Sequence, residues 1–163
     1  MNVVFLNSFL NQLEEFLDDL RVLLPTWDDV LAIRKTIELG RPINPRAILD
    51  GYMHYISPYY QHIFLRNEEF LLNPENIAKD KNFQDVDEAT YQDNYSKMFE
   101  LKDVWNQFNG HNRHTIWEYF CSLMFTGARA SNHPEHKLII TWFHENEQKI
   151  RQAAQRTAKE ASQ

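Results

Sequence analysis

The stretch TIWEYFCSLMFTG, Thr115 to Gly127, constrains the fold more than any other part of the chain. Ile116, Trp117, Tyr119, Phe120, Cys121, Leu123, Met124 and Phe125 run almost all the way round a helical wheel. The polar exceptions Glu118, Ser122 and Thr126 fall at i, i+4 and i+8 and make one narrow stripe. A helix that is apolar nearly all round is normally buried inside its domain. Asn112 is suited to cap its start and Gly127 to close its end. The expectation is an all-α, single-domain bundle of about six helices around a buried central helix at approximately 112–126.

Composition agrees with that architecture. A chain of 163 residues with 43% hydrophobic content is long enough for one domain with a real core. Only 4 Gly and 6 Pro leave little room for the tight turns of an all-β fold. The formal charge of −6 argues against a general nucleic-acid binder. A single cysteine, Cys121, excludes an internal disulfide framework and suits a reducing compartment. The start MNVVFLNSFL has no basic region of the signal-peptide kind. No stretch reaches the ~18 uncharged apolar residues that a membrane span needs. A soluble, intracellular protein is expected.

Leu6, Phe9, Leu10, Leu13, Phe16, Leu17, Leu20, Leu23 and Leu24 are spaced by threes and fours and predict an amphipathic helix over 3–24, ended by Pro25. Thr26 with Asp29 resembles a capping box for a second helix closed by Gly40. Asn44-Pro45 restarts the chain with a cap and a first-turn proline. Ser57-Pro58 predicts a break before a short fourth helix ending near Asn67. Periodicity is lost from 73 to 90, which reads as an acidic loop of about eighteen residues. Asp87 then caps a helix in which Tyr91, Tyr95, Met98, Leu101, Trp105 and Phe108 recur, and Gly110 separates it from the central one. Pro134 starts a last helix with Leu138, Ile139, Trp142, Phe143 and Ile150 facing inward. The helical domain is placed at 1–150, with 151–163 as a projecting or frayed tail because it lacks large apolar residues.

Two histidine pairs, His111 with His114 and His133 with His136, have the i, i+3 spacing that lets imidazoles share a zinc ion. They flank a helix about 20 Å long at ~1.5 Å per residue, so they start far apart. No HExxH or CxxC motif accompanies them. Solvated loop histidines are therefore preferred, and no metal or other cofactor is assigned. Cys121 reads as a small core hydrophobe, and no catalytic residue is assigned. Glu118 and Ser122 read as a stripe that reaches solvent or bonds a neighbouring helix.

Tyr52, Tyr55, Tyr59 and Tyr60 cluster around Pro58, and tyrosine-rich surfaces make good protein interfaces. They are the candidate partner surface. Charge is segregated: residues 68–103 hold 4 Lys and Arg against 10 Asp and Glu. In the C-terminal stretch Lys149, Arg151, Arg156 and Lys159 face only Glu160, which makes a weak phosphate-contacting tail conceivable.

Several patches in order carry a resemblance. After Leu24-Pro25 come Asn44-Pro45-Arg46, Pro58-Tyr59, Glu69-Phe70-Leu71-Leu72, Leu101 with Trp105, and Ile116-Trp117-Glu118-Tyr119. The order resembles a family of small uncharacterised proteins of nucleocytoplasmic large DNA viruses. It covers about two-thirds of the chain and brings no catalytic residues. The resemblance implies a virion or a cytoplasmic virus factory, with other viral proteins as partners. The favoured reading is a non-enzymatic helical interaction protein. A nucleic-acid accessory factor using the basic tail comes second, and a histidine–metal hydrolase third.

Overall fold

The computed structural model describes residues 3–163, and among them every regular element is helical. In chain order the helices are α1 (Val3–Leu23), α2 (Asp28–Gly40), α3 (Pro45–Ile56), α4 (Tyr60–Phe64), α5 (Glu68–Leu71), α6 (Pro74–Ala78), α7 (Lys81–Gln84), α8 (Glu88–Gln107), α9 (Gly110–Ala130), α10 (Lys137–Glu145) and α11 (Glu147–Ala161). Short 3-10 turns, Ser57–Tyr59 and Pro134–His136, lead into α4 and α10. The chain divides into two compact units, where periodicity suggests one. One comprises 1–60 and 118–147, the other 61–117 and 148–163. Helix α9 gives its residues up to Trp117 to the second unit and the remainder to the first. Residues 1 and 2 of the domain expected at 1–150 lie outside the described residues.

The first unit is built on α1, whose Leu6, Phe9, Leu10, Leu13, Phe16 and Leu17 are buried as the three-and-four spacing requires. Leu49 and Met53 of α3, Leu123 and Met124 of α9 and Ile139 of α10 are also buried. Each such side chain contributes about 1.5–3 kcal/mol on leaving water. Phe16 meets Tyr119 and Phe120 of α9, and Ser122 donates to Gln12 of α1 at 2.6 Å. The polar stripe of α9 thus bonds its neighbour at Ser122, while Thr126 turns back to its own Ser122 carbonyl.

Local chemistry corrects several boundaries. Gly127 does not end α9. A β-carbon there would come 2.8 Å from the Met53 sulfur and 3.4 Å from the Phe9 ring, so glycine serves close packing mid-helix. The helix ends three residues later, where Arg46 donates to the Ala130 carbonyl at 3.1 Å. Its start is capped not by Asn112 but by Asn109, whose side chain accepts the Asn112 N–H at 2.8 Å. Thr26 caps nothing in α2: Trp27 occupies the cap position with no side-chain bond, and Asp28 and Asp29 place their charge in the first turn. Asn44 and Asp87 cap α3 and α8 as expected. Ser57-Pro58 forms a 3-10 turn, and α4 ends at Phe64 because Arg66 turns left-handed (φ 52°).

In the second unit the stretch 73–90 is not one loop. Asn73 caps α6 and Asp80 caps α7, giving single-turn helices too short to show a period. The last helix expected from Pro134 is likewise two, parted at Asn146, and Leu138 is 63% exposed rather than inward. Residues 151–161 do not project as a frayed tail. They form most of α11, in which Ala153 and Thr157 are buried. Small residues suffice there because the approach is close: a β-carbon on Gly110 would come 2.3 Å from the Glu160 carbonyl oxygen.

Candidate interaction surface

The four tyrosines expected to form one surface are divided by packing. Tyr52 lies edge-on against Phe9 at 5.1 Å; the residue is half-buried, and burial of its hydroxyl raises its pKa. Tyr60 packs edge-on against Trp142 at 5.5 Å, and Tyr59 is half-buried. Tyr55, 59% exposed beside the His54 ring, is the member of the set that faces solvent most openly. The set is thus unevenly exposed: Tyr52, Tyr59 and Tyr60 are half-buried and Tyr55 is open to solvent.

The histidines serve turns and interior bonds. In the second unit His111 is exposed, while His114 Nδ1 lies 2.7 Å from Thr157 Oγ1 and 3.2 Å from Arg66 Nη1. In the first unit the His133 and His136 rings are 5.0 Å apart. His133 Nδ1 accepts the Glu135 N–H at 3.2 Å as a cap, and His136 Nδ1 meets Ser131 Oγ at 2.5 Å. Burial, then the neighbouring His133, lowers the His136 pKa. Among the described residues no group of three or more His, Cys, Asp or Glu side chains is placed to hold a metal ion.

Of the basic tail, Lys149, Arg151, Arg156 and Lys159 are all exposed on α11. Arg156 is nonetheless engaged, donating to the Arg66 carbonyl at 3.0 Å and to the Leu65 carbonyl at 3.3 Å. It thereby satisfies the left-handed turn after α4, in which the Asn67 N–H bonds the His62 carbonyl and the Arg66 N–H bonds the Ile63 carbonyl. That is a Schellman ending, with arginine where glycine is usual. The Arg66 guanidinium is buried and donates to Thr157 Oγ1 at 2.5 Å.

A surface less obvious from the sequence runs along α8. Tyr91, Tyr95 and Phe99 recur at i, i+4 and i+8, so their rings share one face of the helix. Phe83 of α7 extends the row: Phe83 meets Tyr91 edge-on at 5.2 Å, Tyr91 lies nearly parallel to Tyr95 at 6.2 Å, and Tyr95 meets Phe99 edge-on at 5.2 Å. Phe83, Tyr91 and Tyr95 are half-buried and Phe99 is 47% exposed. Beside them opens a groove of about 440 Å³ lined by Tyr91, Tyr95, Gln92, Gln84, Glu75 and Lys79. Leu101, one of the residues that recur at helical spacing, is 42% exposed further along the helix. The signal for this face is the narrowness of the apolar stripe: between its aromatics lie the polar residues Gln92, Asp93, Asn94, Ser96 and Lys97. Such a helix covers part of a core and leaves ring surface in water.

No family model, curated protein or solved structure matches this chain. No helix among the described residues is long and apolar enough to cross a membrane.

Electrostatics sets this face apart. The segment 68–103, with its four basic and ten acidic residues, carries −6, which equals the formal charge of the whole chain. Glu75 lines the groove, and Glu88 accepts a hydrogen bond from the lining Gln92 at 2.9 Å. Asp93 is paired with Lys97 at 3.2 Å. The surface therefore combines aromatic faces, amide side chains and carboxylates in one open groove, an inventory for binding.

Proposed function

We propose that this is a non-enzymatic helical protein-interaction protein whose contact surface is the aromatic face of α8. The observation that carries the reading is the row Phe83–Tyr91–Tyr95–Phe99, left part-exposed beside an open groove. Half-exposed aromatic rings give large contact area at low conformational cost, which is why such residues anchor protein interfaces. A bundle around one central helix is retained as the finer architectural reading, with α9 in that place. The viral setting implied by the sequence resemblance, a virion or virus factory with viral partners, belongs to the same proposal.

The test is site-specific photo-crosslinking with p-benzoylphenylalanine in place of Phe99, in the cell that makes the protein. Adducts with a discrete protein are expected. Adducts with nucleic acid alone, or none above those of the same probe at exposed Val22, overturn the reading.

A nucleic-acid accessory role is the second reading, favoured by the exposure of Lys149, Arg151 and Lys159 on α11. It predicts weak binding to duplex DNA with steep salt dependence. Replacing all three by Gln should abolish it.

A further inference from the structure

We infer that the α6–α8 groove is a docking site for an arginine-bearing peptide segment of a partner protein. The inference rests on the interaction reading above and names the chemistry of the partner.

Three observations converge on arginine. First, Tyr91 and Tyr95 line the groove with nearly parallel rings, at an interplanar angle of 13°. A guanidinium stacks on such π faces, and it does so better than an ammonium because it is planar and weakly hydrated. Second, carboxylates accompany the rings: Glu75 lines the groove, and Glu88 is bonded to the lining Gln92. Arginine binds carboxylates through paired, charge-assisted hydrogen bonds. Third, the groove belongs to the segment that carries the chain's net negative charge, so long-range attraction favours a cationic partner. Lys79 also lines the groove, and its charge opposes an incoming guanidinium, so the ring faces and carboxylates must outweigh it. The Gln84 and Gln92 amide nitrogens donate to the Ala78 carbonyl and to Glu88, and their amide oxygens are acceptors for the backbone N–H groups of an extended peptide.

The experiment titrates the full chain with nona-arginine and with nona-lysine, following backbone amide shifts by NMR and affinity by calorimetry. Nona-arginine is expected to move the amides of α6 and the first half of α8 and to bind about five-fold tighter than nona-lysine. Tyr95→Leu, which keeps apolar bulk but has no π face, should lower arginine affinity about five-fold and bring the two peptides close together. Glu75→Gln should weaken both, and Tyr55→Ala should change neither. Equal affinity for the two peptides, an unaffected Tyr95→Leu variant, or shifts confined to other helices overturns the inference. Its failure is separable from that of the interaction reading: a protein cross-linked at position 99 through a segment without arginine leaves the interaction and removes this partner chemistry.

Discussion

Gly110, the first residue of α9, lies so close to Glu160 near the end of α11 that a β-carbon would stand 2.3 Å from the Glu160 carbonyl oxygen and 2.8 Å from its carbonyl carbon. Both are backbone atoms, so relief requires moving a helix. Gly110→Ala is expected to cost about 1–3 kcal/mol, as overpacking does. Gly51 is the internal control: it sits inside α3 with nothing within 4 Å of a built β-carbon. Gly51→Ala should stabilise by about 0.5–1 kcal/mol through helix propensity. Urea unfolding of both variants checks the pair, and shifts of the same sign contradict the account.

Arg66 sets two costs against each other. Its backbone is left-handed, which costs a non-glycine residue roughly 1–2 kcal/mol. Its buried guanidinium bonds His114 and Thr157, and charge-assisted bonds of that kind contribute about 1.5–3 kcal/mol each. Arg66→Gly relieves the backbone but loses the bonds, so a net destabilisation of about 1–3 kcal/mol is expected. Thr157→Val, which leaves the turn untouched, should be destabilising as well. A more stable Arg66→Gly protein would show that the backbone cost prevails.

The packing of α11 changes how a tail deletion is read. Ala153 and Thr157 are buried, and Arg156 bonds the turn after α4. Removing 151–163 should lower the thermal midpoint by several degrees or abolish cooperative melting, as circular dichroism would record. Gln at positions 149, 151 and 159 should leave the midpoint within about 2 °C, because the three side chains are exposed. Loss of nucleic-acid binding on deletion alone would therefore report unfolding rather than contact.

Acid should weaken the fold from just below neutrality. Burial lowers the pKa of His62, whose ring stacks on Phe70 at 3.6 Å and whose Nδ1 accepts from Asn67 at 3.1 Å. Burial also lowers that of His136. A histidine depressed in the folded state binds its proton more readily unfolded. Its contribution is present above the unfolded value of about 6.5 and is lost as pH falls from there through the folded value. The urea midpoint should drop between pH 7.5 and 5.5, and less so in His62→Phe. Below about pH 4 the cap carboxylate of Asp87, held low by its bonds to Thr90, should add to the loss. A midpoint that rises on acidification to pH 5.5 contradicts the assignment.

Much of the candidate surface was present in the sequence but hidden by a shared pattern. Tyr91, Tyr95 and Phe99 have the spacing of a core stripe, and a stripe does not reveal whether its outer edge is covered. The acidic run beside it is legible as charge but shows no helical period, because α6 and α7 span little more than one turn each. Their local trace is the caps Asn73 and Asp80, with Pro74 in the first turn of α6. The tyrosines around Pro58 owe their surroundings to distant residues. They are adjacent in sequence, yet Tyr52 and Tyr60 found Phe9 and Trp142, partners more than forty residues away.

What the sequence by itself determined was the all-helical class, the amphipathic face of α1 and the caps at Asn44 and Asp87. These follow from interactions within a few residues, which a linear pattern records. The tertiary structure alone decided the role of Gly127 and the docking of α11. In each case the deciding contact joins residues distant along the chain: Gly127 with Phe9 and Met53, Gly110 with Glu160, Thr157 with Arg66. Small residues carry almost no hydrophobic signal in sequence, yet they set where backbones approach closely, and that approach is a property of packing.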